Sequence, residues 1–263
     1  MQMYETDEKS NSVKSVMKAF LIMEELDKYG ELSIGELSDR LLMDKSTVHR
    51  LINTIKDAGY INQNPDNRKY ANSLKLLAMG NRVMDKTGVK HISRPVMEEL
   101  AEKTGETVNL GVRVGNKIFY IDKLESSSTI KVGLGIGTSV PCYCSGLGKA
   151  ILAYTPDAER RTILDRASFE AFTENTITDI ALLQDELQRV KKEGYSIDDE
   201  EYLIGLICFG APIFDYHGDP IAAISVSCPK YRYDPDQHRA LYGKLVTEAS
   251  ERISRMLGFK PNI

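Results

Sequence analysis

The sequence predicts an α+β protein in which an N-terminal winged helix-turn-helix is joined by a linker helix to a domain with an antiparallel sheet and flanking helices. Three observations predict it. Residues 31–60 carry two short amphipathic patterns around a tight turn, with a turn-rich hairpin after them. From residue 106 the pattern changes to β-branched and aromatic runs separated by turn residues. A long amphipathic helix pattern, Pro235 to Leu257, closes the chain. The boundaries fall at 1–73 for the first domain, 74–90 for the linker and 91–263 for the second domain.

Val13 to Tyr29 reads as a support helix, carrying Val13, Val16, Met17, Phe20, Leu21 and Ile22 and ending at Gly30. Ser33 and Glu36 form a capping box, which opens a short helix with Ile34, Leu37 and Leu41 inward. A turn at Met43-Asp44 follows, with Asp44 as N-cap of the next helix. Val48, Leu51, Ile52 and Ile55 recur at i, i+3, i+4 and i+7, one buried stripe. The helix starts at Lys45, and its other side carries Ser46, Thr47, His49, Arg50, Asn53 and Lys56, with no acid among them. Gly59 is placed to stop it. A dry inner stripe with a donor-rich outer face, crossed by a short preceding helix, is what reading a DNA major groove requires. Two short strands around Tyr60-Ile61 and Tyr70-Ala71 then flank a turn-rich wing, with Arg68 and Lys69 near its tip to meet DNA backbone or minor groove.

Charge supports this locally. The 263-residue chain has net charge −4, wrong for a non-specific nucleic-acid coat. From Lys45 to Lys75, however, six basic residues face two acidic ones, a local net of +4. A small basic footprint on an acidic body suits a sequence-specific binder that depends on base contacts and dimerisation.

Residues 74–86 form an apolar-sided helical connector (Leu74, Leu77, Ala78, Val83), able to pack against a second subunit. A helix from Gly88 to about Lys103 turns Ile92, Val96, Met97 and Leu100 inward. ETVNLGVRV and KIFYIDKL make a hairpin about Gly115-Asn116, and TIKVGLGI is a further strand. Ser145 to Tyr154 is helical, with residues 157–166 continuing it. Residues 179–193 form an amphipathic helix (Leu182, Leu183, Leu187, Val190) that stops at Gly194. Leu206–Phe214 and Pro220–Ser227 are nearly continuous apolar runs, hence a central hairpin. The last helix packs through Leu241, Leu245, Ala249, Ile253 and Leu257.

Three features of the second domain point to a ligand site. Ser145-Gly146-Leu147-Gly148-Lys149 opens a helix, where free N–H groups and glycines suit an anion. A P-loop needs four residues between its first Gly and the Gly-Lys pair, so a carboxylate fits better than a nucleotide. Asp198 ends a strand within an acidic run, and Cys208 lies on the central strand beyond it. Ser225 and Ser227 share a strand face, two hydroxyls on an otherwise apolar strand, and buried hydroxyls need partners.

No histidine has an evident place beside Cys208, and no Ser-His-Asp set is indicated, so the pattern is not that of an enzyme. The four cysteines fit neither a disulfide scaffold nor a zinc site, and no metal or other cofactor is expected. The polar N-terminus lacks the apolar core of a signal peptide and no run is long enough to span a bilayer; a cytoplasmic protein without membrane contact is expected. The sequence therefore suits a ligand-responsive DNA-binding regulator, against the alternatives of an enzyme with an accessory domain and a regulator whose second domain only dimerises.

Several segments resemble the IclR family of bacterial transcriptional regulators: residues 45–51 (KSTVHRL), 105–110 (GETVNL), 120–123 (YIDK), 146–150 (GLGKA), 194–201 (GYSIDDEE) and 222–227 (AAISVS). The resemblance covers essentially the whole chain. It implies a winged helix-turn-helix, a linker helix and a GAF-like effector domain, assembled as a dimer or dimer of dimers on palindromic operators. It also implies that a small carboxylate or keto acid is held by the backbone N–H groups of Gly146 and Leu147 and by Asp198, Cys208, Ser225 and Ser227. Val132, Val140 and Leu206 would be the apolar lining. Residues 12–16 and 173–178 look most like the subgroup that regulates sugar-acid catabolism, which implies an effector such as 2-keto-3-deoxygluconate, with an aromatic or shorter keto acid as the alternative. Members of the family repress and activate; the expected action is repression relieved by ligand, with activation as the alternative.

Overall fold

A computed structural model of the chain describes residues 13–126 and 134–260. The chain divides into two compact units between Val83 and Met84. The first unit is built from α1 (Lys14–Tyr29), α2 (Ile34–Leu41), α3 (Lys45–Asp57), β1 (Ile61–Gln63), β2 (Tyr70–Asn72) and the first part of α4 (Leu74–Thr87).

The capping box forms as expected: the Glu36 N–H donates to Ser33 Oγ, and the Ser33 N–H donates to Glu36 Oε2. Asp44 is the N-cap of α3 by position, but its side chain makes no capping bond. Gly59 follows the end of α3 at φ +82°, a conformation glycine adopts without steric cost. Val48, Leu51, Ile52 and Ile55 are all buried, with Ile22, Leu26, Leu37, Ile61 and Tyr70. β1 and β2 pair antiparallel, and Leu32 bridges to Tyr70 on the far side of β2.

α1 departs from expectation. Its buried residues are Ile22 and Leu26, while Val13, Val16, Met17 and Phe20 form a separate exposed stripe. Periodicity reveals an apolar face without revealing what covers it. Leu74 and Leu77 on α4 are exposed in the same way.

In the second unit α5 (Val89–Thr104) precedes the hairpin β3 (Thr107–Val114) and β4 (Lys117–Leu124). There follow β5 (Ser139–Pro141), α6 (Gly146–Tyr154), α7 (Asp157–Asp165) and α8 (Ile180–Glu193). The chain then forms β6 (Ser196–Asp199), β7 (Leu206–Phe214), β8 (Pro220–Pro229) and α9 (Pro235–Met256). The strands form one antiparallel sheet in the order β5-β4-β3-β8-β7-β6.

Alternation along the strands separates two layers. Val108, Leu110, Ile207, Phe209, Ala211, Ile224 and Val226 pack with α5 and α9. Ile118 and Ala223 belong to the opposite layer, built with α6 and α8.

Four expectations are corrected here. Most of TIKVGLGI lies outside the described residues, and its described end, 134–136, is not strand. Residues 157–165 are a separate helix, because Pro156 lacks the N–H needed to continue α6. Leu182 is exposed, and the buried stripe of α8 is Leu183, Leu187 and Val190. Leu241 is exposed too, one position off the face that buries Tyr242, Val246, Ala249 and Ile253.

Candidate functional site

On α3, Lys45, Ser46, His49 and Arg50 are exposed, while Thr47 and Asn53 are half-buried. Asn53 and His49 share a hydrogen bond of 3.4 Å, which orients two polar side chains on the outer face. Arg68 is exposed in the wing at φ +61°. A groove runs between the end of α3 and the wing, lined by Lys56, Asn62, Gln63, Asn64, Pro65 and Arg68. The wing is fastened from below, with Glu31 accepting from Asn64 and Asn67.

Lys69 differs from expectation. Its ammonium turns back to Glu36 Oε1 at 3.0 Å, the same carboxylate that closes the capping box. Ser33 and Lys69 together hold Glu36 down to about 2, so Lys69 faces a permanent anion. Lys75 likewise donates to the Ala58 carbonyl. Two of the six local cations are therefore engaged within the unit, and sequence counting could not separate them from the rest.

In the second unit strand register assembles the other cluster. Asp198 lies opposite Cys208, Cys208 opposite Ser227, and Ser227 opposite Thr107, a row across β6, β7, β8 and β3. One row higher Gly210 faces Ser225, and Ser225 faces Asn109. A Cβ at Gly210 would lie 2.5 Å from the Gly146 carbonyl oxygen, so only glycine lets the start of α6 rest on β7. Gly146 accordingly sits over Cys208. The N–H groups of Gly146 and Leu147, in the first helical turn, have no acceptor within the helix.

A small cleft is lined by Thr107, Asn109, Tyr120, Ser145, Asp198 and Cys208 among others; its empty space, open solvent included, is about 380 Å³. Leu206 and Ser227 are also on its wall. Four sequence-predicted residues are not on its wall: Gly146 and Leu147 at the start of α6, Ser225, which is buried, and Val140, which is fully buried in the layer of α6 and α8. Val132 lies outside the described residues. The serine hydroxyls also have partners within the chain. Asn109 Nδ2 donates to Ser227 Oγ at 3.0 Å and to Ser225 Oγ at 3.4 Å, and Ser227 Oγ donates to Cys208 Sγ at 3.1 Å.

Sequence reading gave no role to Asn109, Thr107, Tyr120 or Lys149. Asn109 and Thr107 share the strand parity of the site face, the one signal that marked them. Lys149 is wholly buried: it reaches Glu186 at 3.2 Å and also bonds Glu201 and the Ile197 carbonyl. Glu201 Oε2 is buried without a hydrogen-bond partner, and the Glu201 N–H donates to Asp198 Oδ1 at 2.8 Å. Burial raises Asp198 to about 6 and Glu201 to about 7, partly offset by Lys149. It also pushes the Cys208 thiol and Tyr120 phenol well up, so both remain protonated. A protonated buried thiol is a weak donor and no nucleophile.

Two family models match the chain. Residues 81–255 match one described as bacterial transcriptional regulator IclR C-terminal, and residues 15–65 match the IclR helix-turn-helix domain. The HTH-type transcriptional regulator KdgR of Escherichia coli K12 is 35% identical over 253 residues, 96% of each chain. The HTH-type transcriptional repressor AllR of Klebsiella pneumoniae is 32% identical over 249 residues, covering 94% of this chain and 91% of that one. Among solved structures, the Thermotoga maritima IclR aligns with a TM-score of 0.75 at 31% identity, over 94% of this chain and 99% of that one.

Proposed function

The chain belongs to the IclR family of bacterial transcriptional regulators, and from that premise we propose that it represses a catabolic operon until a small hydroxy or keto acid releases it from its operator. It is a DNA-binding regulator and not an enzyme.

The observation that carries the effector reading is the row of Asp198, Cys208, Ser227 and Thr107 beside the start of α6. The helix start offers N–H donors to a carboxylate. Asp198 offers an acceptor, which a ligand hydroxyl satisfies and a second carboxylate does not. One acid group with hydroxyl or keto oxygens is the chemistry that meets both. Similarity to KdgR, with the subgroup resemblance of residues 173–178, favours a six-carbon sugar acid such as 2-keto-3-deoxygluconate. Repression follows the naming of relatives such as AllR.

Recognition helix α3 reads few base pairs by itself, so specificity calls for two copies one helical turn apart or a multiple of it. The exposed apolar stripes of α1 and α4 are the surfaces proposed to pair them in a homodimer, or in a dimer of dimers. Release requires the effector to bind one domain arrangement better than the other.

A thermal-shift screen of sugar acids, keto acids and aromatic acids tests the site, with wild type and Asp198→Ala in parallel. Stabilisation of wild type by a hydroxy or keto acid, lost in the variant, is expected. No stabilisation by any of them, or equal stabilisation of the variant, overturns the effector reading.

A further inference from the structure

Residues 73–75, where α4 begins, are bonded to residues 58–60, where α3 ends. Ser73 Oγ donates to the Gly59 carbonyl at 2.6 Å, and the Ser73 N–H donates to the Tyr60 carbonyl at 2.9 Å. The Lys75 ammonium donates to the Ala58 carbonyl at 2.6 Å and lies 4.1 Å from the centre of the Tyr60 ring. Its aliphatic stem passes Gly59, where an added Cβ would sit 3.6 Å from Lys75 Cδ. Carbonyls at a helix end lack intrahelical donors, and a cation there also meets the negative end of the helix dipole. Yet Lys75 is exposed and contributes nothing to the buried core of the unit. Its contacts fix a direction rather than bury a surface.

We propose that Lys75, with Ser73, is a positioning residue for DNA binding: it fixes the first turn of α4 to the recognition helix, so that paired α4 helices dictate the separation of two recognition helices. This rests on the dimeric reading above. The leverage is large. α4 has 14 residues, and at 1.5 Å per residue a loose joint swinging by about 15° displaces its far end by about 5 Å. That exceeds the rise of one base-pair step, about 3.4 Å. A loose joint accepts several half-site spacings, and a fixed one selects a single spacing.

The test uses the full chain and an operator selected from random DNA, then versions with one base pair inserted or deleted between half-sites, which rotates one half-site by about 34°. Wild type is expected to lose about tenfold in affinity or more on the altered spacings, the size of a base mismatch. Lys75→Met keeps the stem and removes the donor. It should bind all three spacings within about threefold of one another, while Lys75→Arg restores discrimination. Affinity for an isolated half-site should be equal in all three proteins. A variant that lowers affinity for every DNA alike, with the wild-type spacing ratio intact, overturns the proposal and leaves the dimeric reading standing. A wild type indifferent to spacing overturns the dimeric reading and the proposal with it.

Discussion

The Lys149 ammonium and the Glu201 carboxylate meet inside the second unit, the first side chain wholly buried and the second 8% exposed. Lys149 comes from the first turn of α6 and Glu201 from the turn after β6. Their pairing therefore ties the helix start to the strand that carries Asp198. Removing one partner of a buried pair strands the other charge, whereas removing both is often nearly neutral. Lys149→Met is expected to cost about 3–5 kcal/mol in denaturant unfolding, and Lys149→Met with Glu201→Leu to regain most of that. A single variant as stable as wild type would show that the pair does not hold the site together.

Asp198 and Glu201 set a pH dependence of stability. Their folded values, about 6 and about 7, lie above the ordinary 3.8 and 4.5 because burial disfavours the anions. The folded state thus binds protons that the unfolded state does not between about pH 4 and pH 7, and stability rises as pH falls through that window. From pH 8 to pH 5.5 the gain is on the order of 2 kcal/mol, a rise of several degrees in Tm. Differential scanning calorimetry of wild type against Asp198→Asn/Glu201→Gln measures it. A double variant with the wild-type slope would assign the effect to other groups.

Effector affinity should separate the two serines that the sequence treated alike. Ser227 is on the cavity wall and in the Asn109–Ser227–Cys208 chain, while Ser225 is buried behind it. Ser227→Ala is expected to weaken binding of the best acid from the screen about fivefold, the size of one hydrogen bond of ~1 kcal/mol. Ser225→Ala should cost less. Calorimetric titration giving the reverse order would place the ligand deeper than the cavity wall.

Local order was legible in the sequence where one element's own residues decide it. The Ser33–Glu36 cap, the stripe of Val48, Leu51, Ile52 and Ile55, and the central hairpin all form as read. Strand parity also put Ser225 and Ser227 on one face, while the register that sets Asp198 and Ser227 opposite Cys208 comes from the folded sheet. What escaped reading depends on partners far along the chain. Lys149 and Glu201 are 52 positions apart, and Asn109 and Ser227 are 118 apart. Lys69 looked like any wing cation because Glu36, 33 positions earlier, looked like a capping residue and nothing more. Val13 and Phe20 are exposed on the support helix, and the sequence does not tell that, since an apolar stripe reads the same whether its partner is the same chain or another.

The contrast between Arg68 and Lys69 yields the last expectation, about how the wing meets DNA. Arg68 is exposed beside the groove at the end of α3 and is in no ion pair among the described residues, whereas Lys69 is neutralised by Glu36 at 3.0 Å. A side chain that neutralises a phosphate releases a counterion, and each such contact adds about 0.9 to the slope of log affinity against log salt. Arg68→Ala should therefore weaken binding to all sequences and flatten that slope by about one contact. Lys69→Ala should lower affinity through loss of wing placement and leave the slope nearly unchanged. Arg50→Ala, on the outer face of α3, should instead lose about 1–3 kcal/mol on operator DNA with little effect on unrelated DNA, as expected for a base contact. Fluorescence anisotropy across a salt series measures all three. Equal loss of slope in Arg68→Ala and Lys69→Ala would mean that Lys69 leaves Glu36 for a phosphate when DNA arrives.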